Sequence, residues 1–202
     1  MGITTKWQKA SKFFITRERC IGLARIAFGV AWAVAAWLKW QPAFINGFSD
    51  QVKGAIDGQP HIVQVWLGFW LTIVHINPTL FAVVEASTET LLAVCFLLGL
   101  FTDVACIIGM LLALAIWSIP EAFGGPYIAG QSTDIGTAFP YAILCVLLLC
   151  VHAGRYYGID NLLASRLKRL SFLTSTSEKV QEVAEEEKVP SFVGEHKMSH
   201  RR

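Results

Sequence analysis

The chain has 202 residues, of which 54% are hydrophobic and only 16% charged, with a mean hydropathy of +0.50; a soluble domain of this size carries about a quarter charged residues. The balance predicts an integral membrane protein built as one helical bundle, and leaves no length for a second sizeable soluble domain. A net charge of +2 without any basic-aromatic recognition motif excludes nucleic acid as a partner.

Residues 1–20 mix Lys6, Lys9, Lys12, Arg17 and Arg19 with Trp7, Phe13 and Phe14, the composition of an amphipathic segment on the anionic cytoplasmic face of a bilayer. A signal peptide cleaved near Ala33-Val34-Ala35 is the competing reading, but the sequence stays apolar past that point, which favours an uncleaved first span over 21–40. Along it Arg25, Gly29, Trp32, Ala36 and Lys39 recur at steps of three and four and so share one helical stripe. Arg25 either snorkels to the nearer interface or pairs internally; Lys39 either anchors the helix end or does the same.

Residues 41–60 contain Pro42, Gly47, Gly54, Gly58 and Pro60 and read as a loop. The apolar run 61–75 is short for a span and reads as an interfacial or re-entrant helix in the first outer loop. It sets His61, Gln64, Gly68, Thr72 and His75 against Trp66, Phe69, Trp70 and Ile73. Its histidines have no neighbours that complete a metal set. Asn77-Pro78-Thr79 opens the next helix, because proline's missing donor is not needed in a first turn.

The following span, 81–100, contains Glu85 and Glu89, four residues apart and therefore on one face. A carboxylate within such a span costs several kcal/mol unless it is paired, protonated or beside a polar cavity. A tight turn leads to span 104–119, which has no ionisable residue and whose Gly109 permits close helix approach. A loop over 120–137 precedes the last span, 138–154, with Pro140 in its first turn.

Arg155, Arg166, Lys168 and Arg169 follow. With the basic N-terminal segment they place both termini in the cytoplasm. The remainder, 166–202, reads as a polar, flexible cytoplasmic tail, with Ser175 and Glu178 as a possible capping box. This topology sets Lys39 close to Glu85, offers Arg25 to Asp103, Asp160 or lipid phosphate, and leaves Glu89 without an ionic partner, as a protonated carboxyl. Cys20, Cys95, Cys106, Cys145 and Cys150 include no CxxC pair and no metal motif. They read as packing residues, with a Cys95–Cys106 pair left open.

The stretch 133–163 carries Asp134-Ile135-Gly136, Tyr141, Ala153-Gly154-Arg155, Gly158 and Asp160. With the early Arg25 and late Lys39 of the first span, and Glu85 followed by an apolar run to Leu98-Gly99-Leu100, it resembles the DoxX/DoxD family of four-helix membrane proteins. Asp103 departs from the basic residue found there in many members. The resemblance spans residues 18–165, and the aromatic segment in the first loop is more like the DoxD branch, the membrane subunit of thiosulfate:quinone oxidoreductase.

It implies an all-α, multi-pass protein of the inner (cytoplasmic) membrane that couples thiosulfate oxidation to quinone reduction, with quinone as substrate and a second subunit or larger membrane complex as partner. In that chemistry Glu89 and Glu85 handle protons, Lys39 and Arg25 hold the anionic substrate, and Trp66, Trp70 and Tyr141 flank the quinone. Asp134, Gly154, Arg155 and Asp160 are motif residues that shape the last helix. An aromatic interface belt explains Trp66 and Trp70 equally well. A non-catalytic accessory subunit is the alternative function. A transporter lacks the internal repeat it would need.

Overall fold

The computed structural model describes residues 3–128 and 134–156, with side chains described from residue 17 onward and excluding that of Arg155. Asp160, the tail 166–202 and the side chains of residues 1–16 lie outside the described residues, whereas Arg17 and Arg19 are exposed. Within them the protein is all-helical, with no strand. The helices are α1 (Ile3–Lys39), α2 (Pro42–Gly54), α3 (His61–Val74), α4 (Pro78–Leu98), α5 (Thr102–Ser118) and α6 (Phe139–Cys150), with short 3-10 turns at Ala122–Gly124 and Ala153–Arg155. Two stretches, Arg17–Lys39 and Pro78–Leu98, are long and apolar enough to cross a membrane; α3, α5 and α6 are apolar but shorter.

Three boundaries differ from expectation. The amphipathic segment and first span form one continuous helix from Ile3. The glycine-rich stretch after Trp40 is not a loop but α2: Pro42 occupies its first turn, where proline is tolerated, and Phe48 and Val52 bury one face. Gly47 has nothing within 4 Å of where a Cβ would stand, so this glycine neither breaks the helix nor marks a contact. The last helix ends at Cys150 rather than continuing to 154, and its 12 residues cover about 18 Å at 1.5 Å per residue.

The ends of α4 obey local chemistry. Asn77 caps it by accepting the Leu80 N–H at 3.0 Å. At the other end Gly99 takes a left-handed φ of 65°, and the Leu100 N–H reaches back to the Cys95 carbonyl at 3.0 Å, a Schellman closure that turns the chain into α5.

Helix α1 packs along α4, and α5 along α6. A Cβ on Gly29 would lie 2.9 Å from the Leu97 amide nitrogen, and one on Gly109 would lie 3.0 Å from Cys145 Sγ. Both glycines therefore set the distance between helix axes. Phe28, Trp32, Leu92, Phe96, Cys106, Cys145 and Leu148 fill the main core, which also takes in Cys95; these three cysteines are free packing groups, whereas Cys20 and Cys150 are exposed and do not pack in the core. A smaller cluster of Phe48, Val74 and Ala82 seats α2 and α3 against the start of α4.

Candidate functional site

The last residue of α1 meets the second and third turns of α4. Lys39 Nζ is hydrogen-bonded to Glu85 Oε1 and lies 3.1 Å from Glu89 Oε1; Phe44 of α2 stacks beside the ammonium, 5.1 Å from ring centroid to nitrogen. The side chains of Lys39, Glu85 and Glu89 are 17%, 12% and 2% exposed, so the triad is largely desolvated. The expectation that Glu89 has no ionic partner is corrected. Depths along the two helix axes separate the groups by about a turn, but a lysine side chain is as long as one 5.4 Å turn and bridges both acids.

Beside this triad a cavity of about 240 Å³ opens between α1, α4, α5 and α6, bordered by Trp32, Lys39, Glu89, Glu121, Thr137 and Tyr141, with alanine and isoleucine side chains between them. Trp32 and Tyr141 meet edge to face at 5.3 Å. Two lining residues carry buried polar atoms without a hydrogen-bond partner among the described residues, Trp32 Nε1 and Glu89 Oε2. Buried orphans of this kind cost about 1–3 kcal/mol each. Here one is a donor and the other an acceptor.

The far wall was not singled out from sequence. Glu121, in the turn after α5, accepts from the Thr137 hydroxyl and through both carboxylate oxygens from the Ala138 N–H, at 3.1 and 3.0 Å. It therefore caps the amino end of α6 with negative charge where the helix dipole favours it. The segment that presents Thr137 is pinned: Asp134 Oδ1 accepts the Gly136 N–H at 2.8 Å, and Trp117 Nε1 donates to the Ile135 carbonyl at 2.7 Å. Gly124 has φ +78° and would place a Cβ 2.2 Å from the Ile135 oxygen, so this close crossing requires glycine. The only sequence signal for Glu121 is an acid near the end of an apolar run. The partner that makes it part of a site is 17 positions away.

The structure divides the sequence-selected residues into three places. Lys39, Glu89 and Tyr141 line the cavity, with Glu85 behind Lys39. Arg25 lies within α1, about 21 Å from Lys39 along the helix at 1.5 Å per residue. It is fully buried and donates to the carbonyls of Ala153 and Tyr156 at 3.3 and 3.1 Å, which makes it a tie between α1 and the turn after α6, next to the buried Gly154, rather than a companion of Lys39. Asp103, one of its expected partners, instead faces His152 Nδ1 at 3.1 Å.

Trp66 and Trp70 are not in the cavity lining. They meet edge to face at 5.8 Å, and Trp66 Nε1 donates to the Ser118 carbonyl at 3.1 Å, so Trp66 fastens α3 to the end of α5. Sequence spacing put these indoles on one helix face without revealing which neighbour that face meets.

Chemically, Lys39 is one cation answering two acids, with Glu121 as a third carboxylate across the cavity. A dianion placed here would face more negative than positive charge at close range. An uncharged, hydrogen-bonding ring with an aromatic contact to Trp32 and Tyr141 suits the lining better. No group of three or more metal-ligating side chains occurs among the described residues. No protein-family model, curated protein or solved structure matches the chain.

Proposed function

We propose that the chain is a four-span membrane protein of the DoxX/DoxD kind that forms the quinone site of a quinone-linked oxidoreductase in the cytoplasmic membrane. The spans are α1, α4, α5 and α6, and α2 and α3 lie at the outer interface. Residues exposed along the helices, including Leu23, Val30, Val34, Leu91, Val94, Leu111 and Leu147, are large and apolar on several sides of the bundle, as a lipid-facing belt requires. The short α5 and α6 are completed by the turns at their ends.

The observation that carries the reading is the cavity that joins Glu89 to Trp32 and Tyr141. An apolar cavity of about 150 Å³ is enough for benzene, so the 240 Å³ here admits a substituted single ring, with any tail passing out between helices. A quinone takes up two electrons and two protons. Glu89 is the group placed to relay protons to a ring oxygen, resting as the carboxylate that Lys39 steadies while Glu85 shares the ammonium.

The electrons come from a sulfur donor, two thiosulfates yielding one tetrathionate and two electrons. Because Lys39 is already answered by two carboxylates, that dianion is oxidised outside this cavity, by a partner subunit. An accessory role is favoured instead by the apolar outer face of α3, where Ile62, Val65 and Phe69 are exposed and suit docking onto a larger complex.

The test is quinone reduction by thiosulfate in membranes containing the chain, alone and with co-purified partners, against empty membranes. Reduction that falls in Glu89→Gln at equal protein level supports the proposal. Full activity in that variant removes Glu89 from the chemistry, and no activity in any preparation leaves the accessory role, which requires a companion at fixed ratio after gentle solubilisation.

A further inference from the structure

The two orphaned polar atoms of the cavity make a statement about the ligand's oxidation state. Glu89 is 1% exposed and Trp32 2%. With Lys39 on Glu89 Oε1, Oε2 is left as an acceptor seeking a donor, while the Trp32 indole N–H seeks an acceptor. A ring hydroxyl answers both demands, because its hydrogen donates and its oxygen lone pairs accept. A ring carbonyl answers only the indole and turns lone pairs toward the carboxylate. We infer that the cavity selects the reduced, hydroxyl-bearing form of its ring ligand, a hydroquinone, over the oxidised dicarbonyl form, with Glu89 as the specificity-determining residue and Trp32 as a donor that holds either form.

The inference rests on the reading of this cavity as the ring site, and adds to it a direction. A site that binds the reduced form more tightly makes the bound oxidised form a stronger electron acceptor. A tenfold ratio of dissociation constants raises the two-electron midpoint of the bound couple by about 30 mV. The same preference makes the product a stronger competitor for the site than the substrate at equal concentration.

The experiment measures equilibrium binding of a short-tailed single-ring hydroquinone, its quinone and unsubstituted phenol to the full chain in lipid nanodiscs. The expected result is hydroquinone at least tenfold tighter than quinone, with detectable phenol binding. Glu89→Gln, whose amide can donate to a carbonyl, lowers the ratio and brings it to one or below. Trp32→Phe weakens both forms by similar factors and leaves the ratio in place.

Equal or tighter binding of quinone to the unmodified chain overturns the inference without need of any variant, and so does an unchanged ratio in Glu89→Gln. A hydroquinone preference that Glu89→Gln abolishes, in a protein without quinone reductase activity in membranes, upholds the inference and sinks the oxidoreductase reading. Turnover without preference does the reverse.

Discussion

Replacing Lys39 by methionine isolates the energetic logic of the site. The ammonium is the shared partner of Glu85 and Glu89, and its loss leaves two carboxylates one helical turn apart, 12% and 2% exposed. Removing one partner of a buried ion pair costs about 3–5 kcal/mol, chiefly from the charge left behind. The partial exposure of Lys39 and Glu85 puts the expected loss near the lower bound, about 3 kcal/mol. At about 2–4 °C per kcal/mol for a chain of this size, the midpoint of thermal unfolding falls by about 6–12 °C.

The companion is the triple variant Lys39→Met, Glu85→Leu, Glu89→Leu, which removes all three charges and keeps similar volumes. Apolar replacement of a complete buried ionic group is neutral or stabilising, so the triple variant unfolds at or above the temperature of the unmodified chain. Thermal unfolding followed by circular dichroism in one detergent or nanodisc composition reads both. A loss under about 1 kcal/mol in the single variant, the range of exposed ion pairs, refutes the reasoning, as does a triple variant less stable than the single one.

Helix contacts give a second pair: Gly29→Ala pushes a methyl against the Leu97 backbone and costs about 1–3 kcal/mol, whereas Gly47→Ala, in open space within α2, stabilises by about 0.5–1 kcal/mol; unfolding midpoints of opposite sign check both. Arg25→Met removes charged hydrogen bonds to the Ala153 and Tyr156 carbonyls, for a loss on the order of 3 kcal/mol, with faster amide exchange around 153–156 and the proposed ring binding retained in the folded fraction. Glu121→Ala costs about 1 kcal/mol through loss of the α6 cap, and Glu121→Gln, which keeps an acceptor, costs less, as denaturation in the same lipid reports. On the proposed function, Trp66→Phe leaves quinone reduction unchanged, because this indole bonds Ser118 and does not line the cavity; a kinetic defect there would move the proposed ring site to α3.

Much of the helical order is legible because bilayer-length apolar runs and caps are local signals. Pro78 and Asn77 announce α4, and Gly99 its end. The Lys39–Glu85 contact follows from charge and depth alone, since an antiparallel neighbour must bring the end of α1 beside the start of α4. Depth along an axis, however, ignores side-chain reach, which is why Lys39 also finds Glu89. Proline and glycine between residues 41 and 60 suggest a break, yet their meaning depends on whether a backbone donor or a Cβ is needed there, and in α2 neither is. Glu121 and Trp32 escaped notice as site residues for one reason: their significance is a relation across the bundle, to Ala138 and Tyr141, that no spacing within one helix encodes.

Because Arg25 is tied to the turn after α6 and Lys39 to Glu85 and Glu89, α1 is fastened at two points, with Gly29, Trp32 and Ala36 between them on the same stripe. One residue inserted between those points would rotate everything beyond it by about 100° and lengthen the helix by 1.5 Å, so that keeping either anchor forfeits the other. Insertions and deletions should therefore be purged from this helix even where single substitutions are tolerated. A seven-residue insertion, nearly two whole turns, is the length change that restores the facing of both anchors, though it sets them about 10 Å farther apart.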